Sequence, residues 1–325
     1  MLHLKMLQRY GFVLLMVGIL LVACGVESEP EAEEVATVPP TTQPTEVPTV
    51  APTATPKPTA TPVPTATPEP TATVDPAELV SRLFDAAEAG DSAEVTALLA
   101  MGVDVNSANN TRQTPLHIAA QHGCTAIVGI LLDAGADATL TAVGGYTPFL
   151  TAVWEGQVDA ASLLIEQGAD VNSRTGEGAT GLMLASRRGN LAMVKLLLDN
   201  GADVSLQGTP GLISMQGTAG YMMTPFMEAA AGNHVEVGQA LLDHGADIQQ
   251  VDCCGWAALN YAAYWGHVEF AQMLIDNGVD VNYYPPGVEA ETALAIAING
   301  GHDDVEALLR ANGAVDVELI IGNSE

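Results

Sequence analysis

The amino-acid sequence predicts an all-α solenoid of about seven helix-turn-helix units, because three residue types recur in fixed register along most of the chain. If the first residue of each unit is position 0, the units begin near residues 81, 114, 147, 180, 224, 257 and 292. Position 5 is Ala, position 17 is Leu and position 21 is Gly in all seven units. Such a regular set indicates one structural unit that is repeated.

Each recurring position has a local structural reason. Thr-Pro pairs open the units at Thr114, Thr147 and Thr224. Thr is a favoured N-cap, and Pro fits the first helical position because no N–H is needed there. The Ala lets a paired helix approach closely, and the Leu lies on the apolar face of a second helix. The Gly is predicted to end that second helix in the left-handed conformation.

The units are spaced by 33 residues, except for one spacing of 44 and one of 35. Because the distance from position 0 to the Gly never changes, both insertions fall in the connections that follow it. The longer insertion lies within residues 206–223 and is Gly-rich, yet it includes Leu212, Ile213 and Met223. It is either part of a binding face, where solenoid insertions often map, or a tolerated loop extension.

The repeats resemble ankyrin repeats. The resemblance is carried by Thr-Pro-Leu-His-Ile-Ala-Ala at 114–120 and Leu-Leu-Asp-His-Gly-Ala-Asp at 241–247, and it covers residues 75–317. It implies antiparallel helix pairs, joined by protruding hairpin-like connections (fingers) and stacked as a slightly curved solenoid. It also implies that partners meet the finger tips, including the residue just before position 0, and positions 7 and 8 at the end of each first helix.

The N-terminus reads as an export signal over residues 1–23. Lys5 and Arg9 precede an apolar run over 10–23, which is the order of a secretory signal. The run is shorter than the roughly 20 residues of a membrane span. It ends in Leu-Val-Ala before Cys24, which resembles the bacterial lipoprotein signal and implies that Cys24 carries lipid. An ordinary secretory signal or an uncleaved anchor are the alternatives.

Residues 24–74 are predicted to form a disordered linker. Residues 25–74 contain 12 Pro and 13 Thr and no aromatic residue, so they have little to bury. Proline at this density favours extended polyproline II, which rises about 3.1 Å per residue and would reach on the order of 100 Å. The linker would hold the repeats away from a membrane. Residues 318–325 form a short C-terminal tail.

Charge and motifs exclude several functions. The net charge of −29 argues against nucleic acid or an anionic lipid surface as partner, since both need a basic face, but it does not oppose a basic partner. The sequence has no Gly-x-Ser-x-Gly, phosphate loop or His-Glu-x-x-His motif. We therefore expect no enzyme activity, no cofactor and no small-molecule substrate.

The histidines and cysteines do not form a predicted metal site. His234, His267 and His302 share position 10, but adjacent repeats lie roughly 8–10 Å apart, whereas zinc ligands lie about 2 Å from one ion. Cys253 and Cys254 are adjacent in one finger. Two free thiols or a redox-sensitive tip are favoured there over a vicinal disulfide.

The aromatic residues are the candidate anchors for a protein partner. All three Trp lie at partner-facing positions of the ankyrin pattern, and exposed aromatics often anchor interfaces. The alternative is that each ring packs against a neighbouring finger. The two Arg at positions 7 and 8 of the fourth unit either are solvated or contact an acidic group. The candidate residues are Tyr146, Trp154, Arg187, Arg188, Met223, Trp256, Tyr264 and Trp265.

These observations predict a membrane-anchored protein-protein interaction scaffold that faces the cell envelope outside the cytoplasm. The lipid on Cys24 would attach it to the inner or the outer membrane, and a protein partner would bind the concave ankyrin face. The alternative is a structural or protective envelope component without a specific partner.

Overall fold

The computed structural model describes residues 75–209, 222–284 and 291–316. The predicted signal, Cys24, the Pro/Thr-rich linker, most of the long insertion and the C-terminal tail lie outside these ranges. The described ranges form fourteen α-helices and no strand, with one isolated bridge between Arg174 and Thr180. The predicted all-α solenoid is confirmed.

The helices come in seven pairs, one pair for each repeat, and the repeats are numbered 1 to 7 below. Their bounds are α1 Pro76–Ala89, α2 Ser92–Ala100, α3 Pro115–His122, α4 Thr125–Asp133, α5 Pro148–Glu155, α6 Val158–Glu166, α7 Gly181–Arg188, α8 Leu191–Asp199, α9 Pro225–Ala231, α10 Val235–Asp243, α11 Ala258–Trp265, α12 Val268–Asp276, α13 Ala293–Gly300 and α14 Asp303–Ala311. No helix in this described part is both long and apolar enough to cross a membrane.

The first helices begin where the Thr-Pro pattern predicts. In four repeats the Thr hydroxyl at position 0 accepts the N–H three residues later, as Thr147 does at 3.2 Å. In repeats 2 and 6 the hydrogen bond runs the other way, from the backbone N–H of position 0 to the side chain of position 3. His117 Nδ1 accepts the Thr114 N–H, and Asn260 Oδ1 accepts the Ala257 N–H, each at 3.1 Å. Each of these bonds satisfies a backbone donor that a helix start leaves free.

The core consists of the predicted Ala and Leu residues together with large side chains between the repeats. All seven Ala at position 5 and all seven Leu at position 17 are buried. Phe149, Phe226 and Phe270 are also fully buried, and the last two rings lie 5.8 Å apart. Burying such a side chain stabilises the fold by about 1.5–3 kcal/mol. Since these contacts run from repeat to repeat, each repeat depends on its neighbours.

The residue at position 10 fixes the register between repeats. It is the N-cap of the second helix, and at four boundaries its side chain contacts the backbone C=O of position 7 in the preceding repeat. The pairs are Gln157 with Gln121 at 3.1 Å, His234 with Arg187 at 3.1 Å, His267 with Ala231 at 3.1 Å and His302 with Tyr264 at 2.8 Å. The three histidines therefore hold the stack together, each at its own boundary.

The fingers are closed by one backbone hydrogen bond at their base. In repeats with the ordinary spacing, the N–H five residues before position 0 donates to the C=O just before it, as from Ala142 to Tyr146 at 2.8 Å. The long insertion keeps this bond, from the Gly208 N–H to the Met223 C=O at 3.1 Å. The described residues on either side of the insertion therefore pair at a finger base, as they do where no insertion is present. The Gly at position 21 has φ between +81° and +91° in all seven repeats, which confirms its predicted conformation.

Candidate partner-binding surface

All the predicted binding residues except Met223 fall into two clusters on the fingers and first helices, which Glu228 and Tyr261 complete. The central cluster comprises Tyr146, Trp154, Arg187, Arg188 and Glu228, from repeats 3 to 5. The distal cluster comprises Trp256, Tyr261, Tyr264 and Trp265, all at the start of repeat 6. In each cluster one aromatic residue, Tyr146 or Trp256, lies at the finger base just before the first helix. Positions 7 and 8 lie beside it, in the last turn of that helix.

In the central cluster the chain covers its own aromatic rings. Tyr146 and Trp154 meet edge to face with centroids 6.4 Å apart, and both are half-buried against the core. The Arg188 guanidinium carbon lies 3.9 Å from the centre of the Trp154 ring. This is a cation–π contact between position 8 of repeat 4 and position 7 of repeat 3. Trp154 is therefore covered within the molecule, by Tyr146 from its own finger and by Arg188 from the next first helix.

Arg187 has an acidic partner inside the molecule. Its guanidinium makes a two-pronged contact with Glu228, with Nε donating to Oε2 at 2.9 Å, and the Glu228 side chain is only 8% exposed. This geometry is the strong form of an Arg–carboxylate pair. The hydrogen bonds that Arg187 donates to the Glu228 carboxylate raise the pKa of its guanidinium above the ordinary value. Of the two alternatives for Arg187, a solvated side chain or a contact with an acidic group, the second is found within the chain, so its donors on that side are occupied.

The finger that carries Tyr146 is anchored by His117. Nδ1 of His117 accepts the Thr114 N–H, so the proton is assigned to Nε2, which donates to the Tyr146 C=O at 3.0 Å. Burial lowers the pKa of His117 below its ordinary value. Burial also raises the pKa of the Tyr146 phenol, and the nearby charge of Glu177 adds to this effect. Both groups are neutral at pH 7.

The distal cluster is a row of four rings that becomes more exposed along its length. Trp256 lies 5.3 Å from Tyr261 and 5.5 Å from Tyr264, and Tyr264 meets Trp265 edge to face at 5.1 Å. Trp256 is half-buried and Tyr261 is buried. Tyr264 is 42% exposed and Trp265 is 47% exposed. Only these last two rings of the predicted set face solvent openly.

A buried acid organises the finger beneath this row. Asp252 accepts the Tyr261 hydroxyl at 2.7 Å and the Trp256 N–H at 2.9 Å. Burial raises the pKa of the Tyr261 phenol, and its bond to the Asp252 carboxylate adds to this. Because Tyr261 holds this finger against its own helix, Trp256 is fixed before any partner arrives.

The remaining candidates have structural positions. Met223 closes the finger base and is half-buried against the core. Cys253 and Cys254 are free and exposed, with Sγ atoms 3.8 Å apart. Partial desolvation of its sulfur, with the contact to Cys253 and the charge of Asp252 adding to it, raises the pKa of the Cys254 thiol to about 11, so this thiol is protonated at neutral pH and is a weak nucleophile. Over the described residues, no group of three metal-binding side chains is close enough to hold an ion.

Sequence reasoning missed Glu228 and Tyr261, which organise the two clusters. Both are at position 4 of a first helix, one helical turn before the partner-facing positions. The available signal for Glu228 was a charged residue between Met227 and Ala229 in an otherwise apolar helix. A charge in such a place needs a partner when it is buried.

The fold has clear relatives. The family model of ankyrin repeats (3 copies) matches residues 83–175, 145–208, 182–285 and 226–320, and the chain therefore belongs to the ankyrin repeat family. It is similar to the crystal structure of the human ASB11 ankyrin repeat domain, with a TM-score of 0.62 and 26% sequence identity. That match covers 72% of this chain and 99% of the ASB11 chain.

A curated relative from Drosophila melanogaster, "Ankyrin repeat and KH domain-containing protein mask", is 36% identical over 103 residues. These are 31% of this chain, and they span only 2% of the length of that relative. Ankyrin repeats bind protein partners generally, and their domains are typically interaction modules without enzyme activity. Membership of this family therefore suggests a protein-protein interaction scaffold.

Proposed function

We propose that this chain is a membrane-anchored scaffold that captures a protein partner outside the cytoplasm. The observation that carries the binding role is the pair of exposed rings, Tyr264 and Trp265, at the partner-facing positions of an ankyrin stack. Ring pairs of this kind gain binding free energy by burying apolar area while losing little side-chain entropy.

The location rests on the sequence of the first 74 residues. Lys5 and Arg9, the apolar run and Cys24 together have the order of a bacterial lipoprotein signal. The Pro/Thr-rich residues that follow are a spacer between a lipid on Cys24 and the repeats. A spacer of this length would let the repeats reach a partner on the order of 100 Å from the membrane.

The lipid anchor is tested by Cys24→Ser in cells fed an alkyne-labelled fatty acid. The full-length chain should take up label and sediment with membranes, whereas Cys24→Ser should lose the label and be recovered in the soluble fraction. Cys253→Ser is the matched control, because it also removes one thiol but should keep the label. If Cys24→Ser keeps its label, the lipoprotein assignment is wrong.

Partner capture is tested by crosslinking intact cells and identifying the attached proteins by mass spectrometry. A Tyr264→Ala/Trp265→Ala variant should lose the partner, while Met101→Ala, which removes a side chain 59% exposed at the other end of the stack, should retain it. A Trp154→Ala/Trp256→Ala/Trp265→Ala variant probes the whole predicted face. If no saturable partner is found for the unmodified chain, the structural or protective role applies instead.

A further inference from the structure

The exposed rings of repeat 6 lack a covering side chain that the equivalent place in repeat 3 has. In the central cluster, position 7 of repeat 3 is Trp154, and its ring is covered by Arg188 from position 8 of repeat 4. In the distal cluster, position 7 of repeat 6 is Tyr264, and position 8 of repeat 7 is Gly300. The residue that would cover Tyr264 therefore has no side chain.

The two boundaries have the same register. Between repeats 3 and 4 the side chain of Asn190 lies against Gly156, and between repeats 6 and 7 the ring of His302 lies against Gly266, so position 10 meets position 9 of the preceding repeat in both places. Gly300 lies two residues before His302, so it occupies the place that Arg188 occupies beside Trp154. The space beside the exposed rings therefore receives no side chain from position 8.

The C-terminal part of the chain cannot fill this space with a cation of its own. After Lys195 the sequence contains 18 Asp and Glu residues and a single basic residue, Arg310. Arg310 is paired with Glu306 at 2.8 Å and with Asp316 at 3.6 Å. Glu291 adds an acidic group nearby, since its carboxylate accepts the side-chain N–H of Asn299, the neighbour of Gly300.

We propose that Tyr264 and Trp265 form a binding site for an arginine side chain of a basic protein partner. The guanidinium stacks on the ring face as Arg188 stacks on Trp154, and the surrounding acidic residues attract the rest of the basic segment. This inference rests on the proposed function and names its class of partner. An arginine suits the site better than a lysine, because its planar group stacks on a ring and loses less hydration.

The test is a fluorescence anisotropy titration of the full-length chain with a labelled nine-residue peptide of Arg and Gly, compared with a Lys and Gly peptide of equal charge. The Arg peptide should bind more tightly. Tyr264→Ala/Trp265→Ala should weaken its binding by roughly tenfold, which is the loss expected for two ring contacts of this kind. Neither substitution changes the net charge, so attraction by charge alone is unaffected.

Two controls make the result specific. Tyr264→Phe/Trp265→Phe keeps both ring faces and should bind within about threefold of the unmodified chain, while Met101→Ala should bind equally well. Far-ultraviolet circular dichroism confirms that the variants are folded. An arginine at position 300 is unsuitable for this test, because a Cβ there would lie 2.6 Å from Cδ2 of His302 and disturb the register contact.

The proposal is overturned if the Arg and Lys peptides bind equally and the double Ala variant binds both as well as the unmodified chain does. Plain charge attraction would then explain the binding. The proposed function is judged separately by crosslinking in cells. A partner that is crosslinked and lost in the double Ala variant, without any preference for the Arg peptide, would leave the scaffold role standing and remove only the arginine site.

Discussion

The central and distal clusters use the same positions of the ankyrin repeat but have opposite relations to solvent. In the central cluster Arg188 covers Trp154 and Arg187 neutralises Glu228, so both the apolar and the charged groups are satisfied within the chain. In the distal cluster Tyr264 and Trp265 remain exposed, and no arginine comes from the next repeat. The surface that a repeat offers is therefore decided by its neighbour as much as by its own sequence.

This difference separates rings that stabilise the stack from rings that remain free to bind. A half-buried ring with an internal cation has little interaction energy left for a partner. An exposed ring contributes little to the free energy of folding, but it contributes most to the free energy of binding when a partner covers it. Single substitutions should therefore distinguish the two clusters or make one resemble the other.

The largest effect is expected for Arg187→Ala, which leaves the buried Glu228 carboxylate without its cation. The free energy of unfolding should fall by about 2 kcal/mol, below the range for a fully buried pair because Arg187 is itself partly exposed. Guanidinium denaturation measures this. Arg310→Ala is the control, since it removes a surface pair and should cost much less. Equal losses would show that Glu228 is not buried as described.

A smaller loss is expected for Trp154→Ala, because this ring packs against Tyr146, Arg188 and the core. The free energy of unfolding should fall by about 1–2 kcal/mol, whereas Trp265→Ala should leave it nearly unchanged. The same denaturation assay compares the two variants. A larger loss for Trp265→Ala would reverse the assignment of structural and binding rings.

A pH effect is expected through His117, which anchors the Tyr146 finger as a neutral side chain. Its folded pKa is lowered from an unfolded value of 6.5, so the unfolded chain takes up a proton as the pH falls below about 6.5 while the folded chain does not. The stability that the neutral ring supplies is therefore present above pH 6.5 and is lost on acidification. Guanidinium denaturation should give a lower free energy of unfolding at pH 5.5 than at pH 7.5. This difference should be smaller in His117→Gln.

The smallest effect is expected for Arg188→Ala, which would turn the central cluster into a weaker copy of the distal one. Removing the guanidinium uncovers the Trp154 ring, so the Arg peptide should gain roughly twofold in binding. Anisotropy with the Tyr264→Ala/Trp265→Ala background isolates this second site. Unchanged binding would mean that Trp154 stays covered by another group.

Much of the fold could be predicted from the sequence because the relevant interactions are local. The Thr at the helix starts, the Gly at the helix ends and the alternation of two short helices depend on contacts within a few residues. The insertion could be assigned to a finger because the helical segment on either side keeps its length. The positions of the three Trp were predicted from the repeat pattern, but which of them are covered was not.

The coverage of the rings could not be predicted because it depends on side chains far apart in sequence. Arg187 and Glu228 are 41 residues apart, and the long insertion lies between them in the sequence. The Asn at position 25 was also missed. Asn106, Asn172 and Asn282 each accept an N–H from the next repeat at 2.8–2.9 Å. Its recurrence in repeats 1, 3 and 6 was a signal that sequence reasoning could have used.

The sequence by itself determined the ankyrin stack, its seven-repeat register and the place of its insertions, since each follows from local backbone preferences that recur. The tertiary structure alone decided that Arg188 closes one aromatic site and that Gly300 leaves another open. The physical reason is that a ring is covered or exposed by the repeat stacked on it, which lies about thirty-three residues away in sequence but in direct contact in space.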